Sequence, residues 1–162
     1  MFSVGDIIVY GAQGICKIDS TQTKQIGKLS AEYFVLRPVF SQTTVLFVPV
    51  ENKALTARMK PLLNADEAKG IIGAADKVGV IETNGESEKR EEYKNILASN
   101  DRHKLLSLVK TIQYEKEARR QCGKKLNLND EQTLAKAENL LYNELGFVLE
   151  IEPNEVKSMI EF

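Results

Sequence analysis

Along the first third of the chain, apolar residues come in short runs broken by turn-formers, at residues 7–10, 15–18, 33–36, 43–50 and 54–58. No helical period connects them, which predicts a small all-β unit. In the opening stretch, the β-branched run Ile7-Ile8-Val9 leads into a breaker cluster with Gly11 and Gly14, after which Ile15 resumes the alternation. Glycine supplies the positive φ and close backbone approach of a tight corner, so this hairpin is read as the start of a highly curved β-barrel. Residues 20–32 are rich in Lys, Gln and Thr, and predict a hairpin projecting into water. The run at residues 43–50 is apolar on both faces. Either it is buried on both sides or one side waits for a partner, and Pro49, unable to donate to a ladder, places it at an edge.

After Met59-Lys60-Pro61-Leu62-Leu63 the period changes from two to about 3.6. Asn64 predicts a cap for a helix that carries Asp66 and Glu67 in its first turn and stops near Gly73. Residues 75–86, with Gly79, Asn84 and Gly85, have loop composition. Ser87 is read as the cap of a short helix with Tyr93, Ile96 and Leu97 on its apolar side. Asn100 is read as the cap of the longest helix, with the stripe Leu105, Leu108, Val109 and Ile112, ending at Gly123. A capping box at Asn129-Asp130-Glu131-Gln132 predicts a further helix bearing Leu134, Ala137, Leu140, Leu141 and Leu145, ending at Gly146. Pro153 suits the first turn of a short terminal helix. The expected fold class is therefore α+β with two domains, a barrel over residues 1–60 and an all-α domain of about five helices over residues 61–162.

Charge sharpens this division. The net charge of the 162 residues is −1, but residues 1–63 hold seven basic and four acidic residues against fifteen and nineteen in the remainder. Opposite balances suggest modules with different partners. No apolar run reaches the ~18 residues of a membrane span and no signal-peptide pattern opens the chain, so a cytoplasmic protein is expected. Cys16 and Cys122 are far apart and read as reduced thiols.

Chemistry is sparse. The single His103 sits between Arg102 and Lys104, off the apolar stripe, and reads as a solvated side chain. Gly5, Gly11 and Gly14 form neither a dinucleotide fingerprint nor a phosphate loop. No metal-ligand spacing is present, so no metal, cofactor or catalytic residue is expected and the protein is read as one that works by binding.

Taken together, Phe2, Val4-Gly5-Asp6, Val9-Tyr10, Gly14-Ile15 and Ile18, followed by Glu32-Tyr33, Val35-Leu36, Thr44-Val45, Val48-Pro49-Val50 and Arg58, resemble the CarD/CdnL family of bacterial transcription regulators. The N-terminal domain of that family is similar to the polymerase-interacting domain of the transcription-repair coupling factor. In the helical half, Tyr93-Lys94, Leu97-Ala98-Ser99, Leu126, Asp130-Glu131, Ala135, Ala137, Leu140 and Glu144-Leu145 look like the family's C-terminal pattern.

The resemblance implies a Tudor-like barrel that binds the β subunit of RNA polymerase and a helical domain that acts at promoter DNA, nucleoid-associated through the polymerase. Candidate polymerase-facing residues are Lys24, Lys28, Tyr33, Arg37, Leu46 and Phe47, of which Tyr33 and Leu46 fit a barrel core equally well. Candidate DNA contacts are Lys89, Arg90 and Lys94, or Arg119, Arg120, Lys124 and Lys125. The chain departs from the family in having no Trp, in carrying Glu91 and Glu92 where relatives often have positive charge, and in placing Phe47 where relatives often have Arg. The missing Trp and the acidic balance of the helical half favour an alternative, a polymerase-associated adaptor whose helices bind protein. An exposed strand edge would also permit a strand-exchanged homodimer.

Overall fold

The change of period at residue 62 becomes a division of the chain into two compact units, one ending at Leu62 and one running from Leu63 to Phe162, in the computed structural model, which describes residues 2–162. In the first unit β1 (Ile7–Tyr10), β2 (Gly14–Ile26), β3 (Leu29–Pro38), β4 (Leu46–Pro49) and β5 (Met59–Pro61) form one antiparallel sheet in the order β4-β3-β2-β1-β5. Gly11 and Gly14, with φ of 44° and 75°, make the turn between β1 and β2, as their spacing predicts. The polar residues 20–32 are the far half of the long β2–β3 hairpin, turned at Gly27 with φ of 64°.

The sheet is open, and the expected closed barrel is not formed. Its two outer strands hold only four and three residues, each ending in a proline that cannot extend the ladder. Residues 54–58, read as a strand, instead form most of a helical turn, α1 (Lys53–Thr56), and the turn that follows it, because Asn52 Oδ1 accepts the Leu55 N–H at 3.1 Å and starts the helix. The core of this unit is Ile8, Tyr10, Cys16, Ile18, Leu36, Val48 and Met59 on one face of the sheet. Burial pushes the Cys16 thiol up to about 11, which makes it an inert packing group.

The second unit contains α2 (Ala65–Gly73), α3 (Glu86–Ser99), α4 (Arg102–Gln121), α5 (Leu128–Leu149) and α6 (Pro153–Met159). Asn64 caps α2 in a full capping box with Glu67. The α6 helix opens at Pro153 as expected, whereas the N-termini of α3, α4 and α5 lie one or two residues from where their sequence signals pointed. Gly85 precedes α3 in place of Ser87; Asp101 caps α4, accepting the Lys104 N–H, while Asn100 closes α3 in the left-handed conformation at φ 48°. Asn127, two residues ahead of Asn129, caps α5 and makes it the longest helix. Asparagine suits both sides of a helix boundary, as an N-cap acceptor and as a left-handed C-terminal residue, so composition alone does not choose between them. The apolar stripes converge as expected: Tyr93, Ile96, Leu105, Leu108, Val109, Ile112, Leu134, Ala137, Leu141 and Leu145 share one core.

Gly146 lies inside α5, not at its end. The chain turns back after Glu150, at φ 59°, and the returning Ile151 donates its N–H to the Gly146 carbonyl at 3.0 Å. A Cβ at Gly146 would stand 2.7 Å from the Ile151 carbonyl oxygen, a backbone atom held by the start of α6. Gly70, within α2, has open space around the same position. Alanine ordinarily favours a helix over glycine by ~1 kcal/mol. The two replacements should therefore move stability in opposite directions: Gly70→Ala gains about 0.5–1 kcal/mol, and Gly146→Ala loses about 1–3 kcal/mol to overpacking. Urea unfolding of the full chain, followed by circular dichroism, checks the order.

Candidate functional site

A single extra residue in β2 decides which side chains the sheet displays. Ile18 pairs with Leu36, but Ser20 pairs with Val35, so Asp19 is bulged out of the register. Because side chains alternate along a strand, one inserted residue moves everything beyond it to the opposite face. Ser20, Gln22 and Lys24 thereby join Tyr33, Val35, Arg37 and Phe47 on the face away from the core, while Phe34, Leu36, Leu46 and Val48 lie on the core side. Lys24 crosses this outer face with its ammonium 3.5 Å from the Phe47 ring centre and 5.7 Å from that of Tyr33. A cation over aromatic faces contributes about 0.5–1 kcal/mol when exposed. Arg37 reaches Asp19 at 3.2 Å, so the bulged residue itself pairs with the outer face.

Beside this face runs the margin of β4. The Val50 N–H donates to the Glu32 carbonyl at 3.0 Å, so Val48 and Leu46 direct their backbone groups to β3 and Phe47 directs its N–H and C=O outward. Phe47 is 42% exposed, an apolar ring on an outer strand. Of the six residues predicted to face a partner, Lys24, Tyr33, Arg37 and Phe47 come together here. Lys28 lies apart, at the hairpin turn, and Leu46 packs against the core. Sequence could not separate Leu46 from Phe47, because the parity of a strand apolar on both faces is set by its neighbour.

In the helical unit, the predicted cations divide by what they touch. Lys89 is buried, with its ammonium 2.7 Å from Asp130 and within 4 Å of Glu86 and Glu115. Burial lowers the affinity of Lys89 for its proton, but the Asp130 hydrogen bond and the surrounding carboxylates outweigh it and hold the group above the ordinary lysine range. Lys89 thus joins α3 to α5 and faces inward, contrary to the expectation of an outward contact. Arg119 pairs with Glu115 and donates to the Lys125 carbonyl, and Arg120 pairs with Glu117 at 2.6 Å. Lys124 and Lys125 are exposed in the turn after α4.

Arg90 and Lys94 are exposed and line a groove of about 280 Å³ with Tyr93, Leu97, Asn129, Thr133 and Lys136. Its two walls are stripes at helical spacing, residues 90, 93, 94 and 97 on α3 and residues 129, 133 and 136 on α5. The α5 wall was missed from sequence, though the i, i+4, i+7 spacing of Asn129, Thr133 and Lys136 is visible there. Among the described residues, no cluster of His, Cys, Asp or Glu could hold a metal ion, and no helix is long and apolar enough to cross a membrane.

Residues 2–62 match the family model described as the CarD-like/TRCF RID domain. Over 160 residues, 98% of this chain and 99% of the relative, the sequence is 26% identical to YdeB of Bacillus subtilis strain 168, a protein named as a candidate transcription factor.

Proposed function

We propose, from the match of residues 2–62 to the CarD-like/TRCF RID domain model, a transcription regulator that docks on the β subunit of RNA polymerase through the β4 margin and touches promoter DNA through its helical unit. It acts by binding and performs no reaction of its own. The observation that carries this reading is the outward backbone of Phe47 beside an apolar and cationic face, the combination used when a partner strand adds to a sheet: main-chain bonds supply affinity and flanking side chains supply selectivity. Arg90, Lys94, Lys124 and Lys125 are the cations proposed to reach DNA phosphates.

Two observations favour a second reading, an adaptor whose helices bind protein. Lys89 is buried on Asp130, and Arg119 and Arg120 are paired with glutamates, which leaves less positive charge than the sequence advertises.

Phe47→Glu separates polymerase binding from folding, because the ring is exposed and its loss leaves the core intact. Placing a charge at the centre of a strand-addition interface is expected to cost 2 kcal/mol or more, roughly a thirtyfold loss of β-subunit capture, with unchanged circular dichroism. Undiminished capture by the folded variant would remove the β4 margin from the interface. Light scattering on the same samples tests whether that margin instead pairs with a second copy, which Phe47→Glu would dissociate.

A further inference from the structure

We infer that the α3–α5 groove receives a run of consecutive acidic residues from a partner protein, held extended, with alternate carboxylates on Arg90 and Lys94 of α3 and the intervening one on Lys136 of α5. This rests on the second reading above, an adaptor whose helices bind protein, and it assigns Arg90 and Lys94 to that partner in place of DNA. Among the described residues, none of these three cations has a carboxylate within 4 Å, in contrast to Lys89, Arg102, Arg119, Arg120 and Lys157. Three cations that converge from two helices on one groove without internal partners select an anionic ligand.

The spacing of the cations matches an extended chain. Arg90 and Lys94 are one turn apart, ~6 Å along α3. In a strand, side chains two residues apart share a side at ~6.6 Å, while the one between them points the opposite way. Two carboxylates so placed meet the α3 wall, and the intervening one faces Lys136 on the other. Tyr93, 5% exposed, and half-buried Leu97 give the groove an apolar lining, and the lowered local dielectric strengthens each charge contact. Asn129 adds an exposed amide, both donor and acceptor, of the kind that a peptide backbone can use. The surroundings disfavour a duplex. Glu88 and Glu91 are exposed on α3, about 100° or more around the helix from Arg90, and Glu131 is exposed on α5, about 160° from Asn129. A duplex, with one charge about every 1.7 Å of its axis, would be laid against those glutamates. A run of three residues enters the groove without reaching them.

The test uses the full chain and a fluorescein-labelled peptide with three consecutive glutamates in an uncharged glycine–serine frame, followed by anisotropy at low salt, where screening is weak. Lys136→Gln is expected to weaken binding about two- to fivefold, the worth of one exposed charge pair. Lys136→Arg restores it. Lys157→Gln, which removes a lysine already paired with Glu138 outside the groove, leaves it unchanged. A second peptide, its three glutamates separated by pairs of glycines, binds several-fold less tightly because it cannot present alternate carboxylates at ~6.6 Å. Equal binding of the two peptides, or binding indifferent to Lys136→Gln, would overturn the inference while the adaptor reading stands. A chain that ignores the peptide but binds duplex DNA, with Lys136→Gln weakening that binding, would sink both. A chain that binds neither overturns the inference alone.

Discussion

Replacing Arg102 by alanine is expected to destabilise the helical unit by about 3–5 kcal/mol, more than any surface change in the chain. Glu144 is 1% exposed, and Arg102 grips it with both arms of the guanidinium, Nε to Oε1 at 2.8 Å and Nη2 to Oε2 at 2.7 Å. The same Oε2 accepts the Leu63 N–H at 3.0 Å, so one carboxylate ties the start of α4 and the first residue of the unit to the last third of α5. Truncating Arg102 leaves a buried anion without its counter-charge, and that desolvation, not the lost attraction, dominates the cost. The pair itself is worth much less than its breakage. Arg102→Met combined with Glu144→Gln removes both charges while keeping an acceptor for Leu63, and should recover most of the loss, to within about 1–2 kcal/mol of the parent. Urea unfolding followed by helical circular dichroism measures all three proteins. A cost below about 1 kcal/mol for Arg102→Ala would mean that water reaches Glu144 and that the pair behaves as a surface ion pair.

The second large effect is an asymmetry at Lys89. Lys89→Met leaves Asp130, 1% exposed, with the Asn127 amide at 3.1 Å as its remaining side-chain donor, and is expected to cost about 3 kcal/mol or more. Asp130→Asn is milder, because Lys89 keeps Glu86 at 3.7 Å and Glu115 at 3.8 Å and its ammonium sits closer to water. The order of the two variants therefore tests which partner is truly enclosed, and equal costs would contradict the burial assigned to Asp130. Since the folded protein holds the Lys89 proton above the usual lysine range, the pair's contribution is complete below about pH 10.4, where an unfolded lysine is also charged, and is lost as pH rises through the higher folded value. Melting of the parent at pH 8 and pH 11 should show that loss.

Lys89 also marks how far a linear reading reaches. In sequence it stands among Glu86, Glu88, Arg90, Glu91 and Glu92, a run of alternating sign that looks uniformly solvated. Only the approach of α5 selects one lysine from that run and buries it on Asp130, forty-one residues away. Arg102 is the same case: beside His103 and Lys104 it looks like surface charge, and Glu144 makes it internal. Arg90 and Lys94 were legible as free cations, but their third companion lay on a helix read only for its apolar stripe. Gly146, read as a stop signal, is the point where two backbones meet.

What the amino-acid order determined alone is local: the switch from period two to period 3.6 near residue 62, the helix stripes that form the second core, the projecting polar hairpin and the edge position that Pro49 imposes. These depend on neighbours within a few residues, where geometry is almost fixed by φ, ψ and side-chain alternation. Tertiary structure decided the parity of β2 through the bulge at Asp19, hence which of Leu46 and Phe47 faces outward, and it decided that the sheet stays open and which cations are spent on buried carboxylates. Those outcomes turn on the desolvation of a charge or the register of a strand against its partner, and both are energies of residues distant in the chain that meet only when it folds.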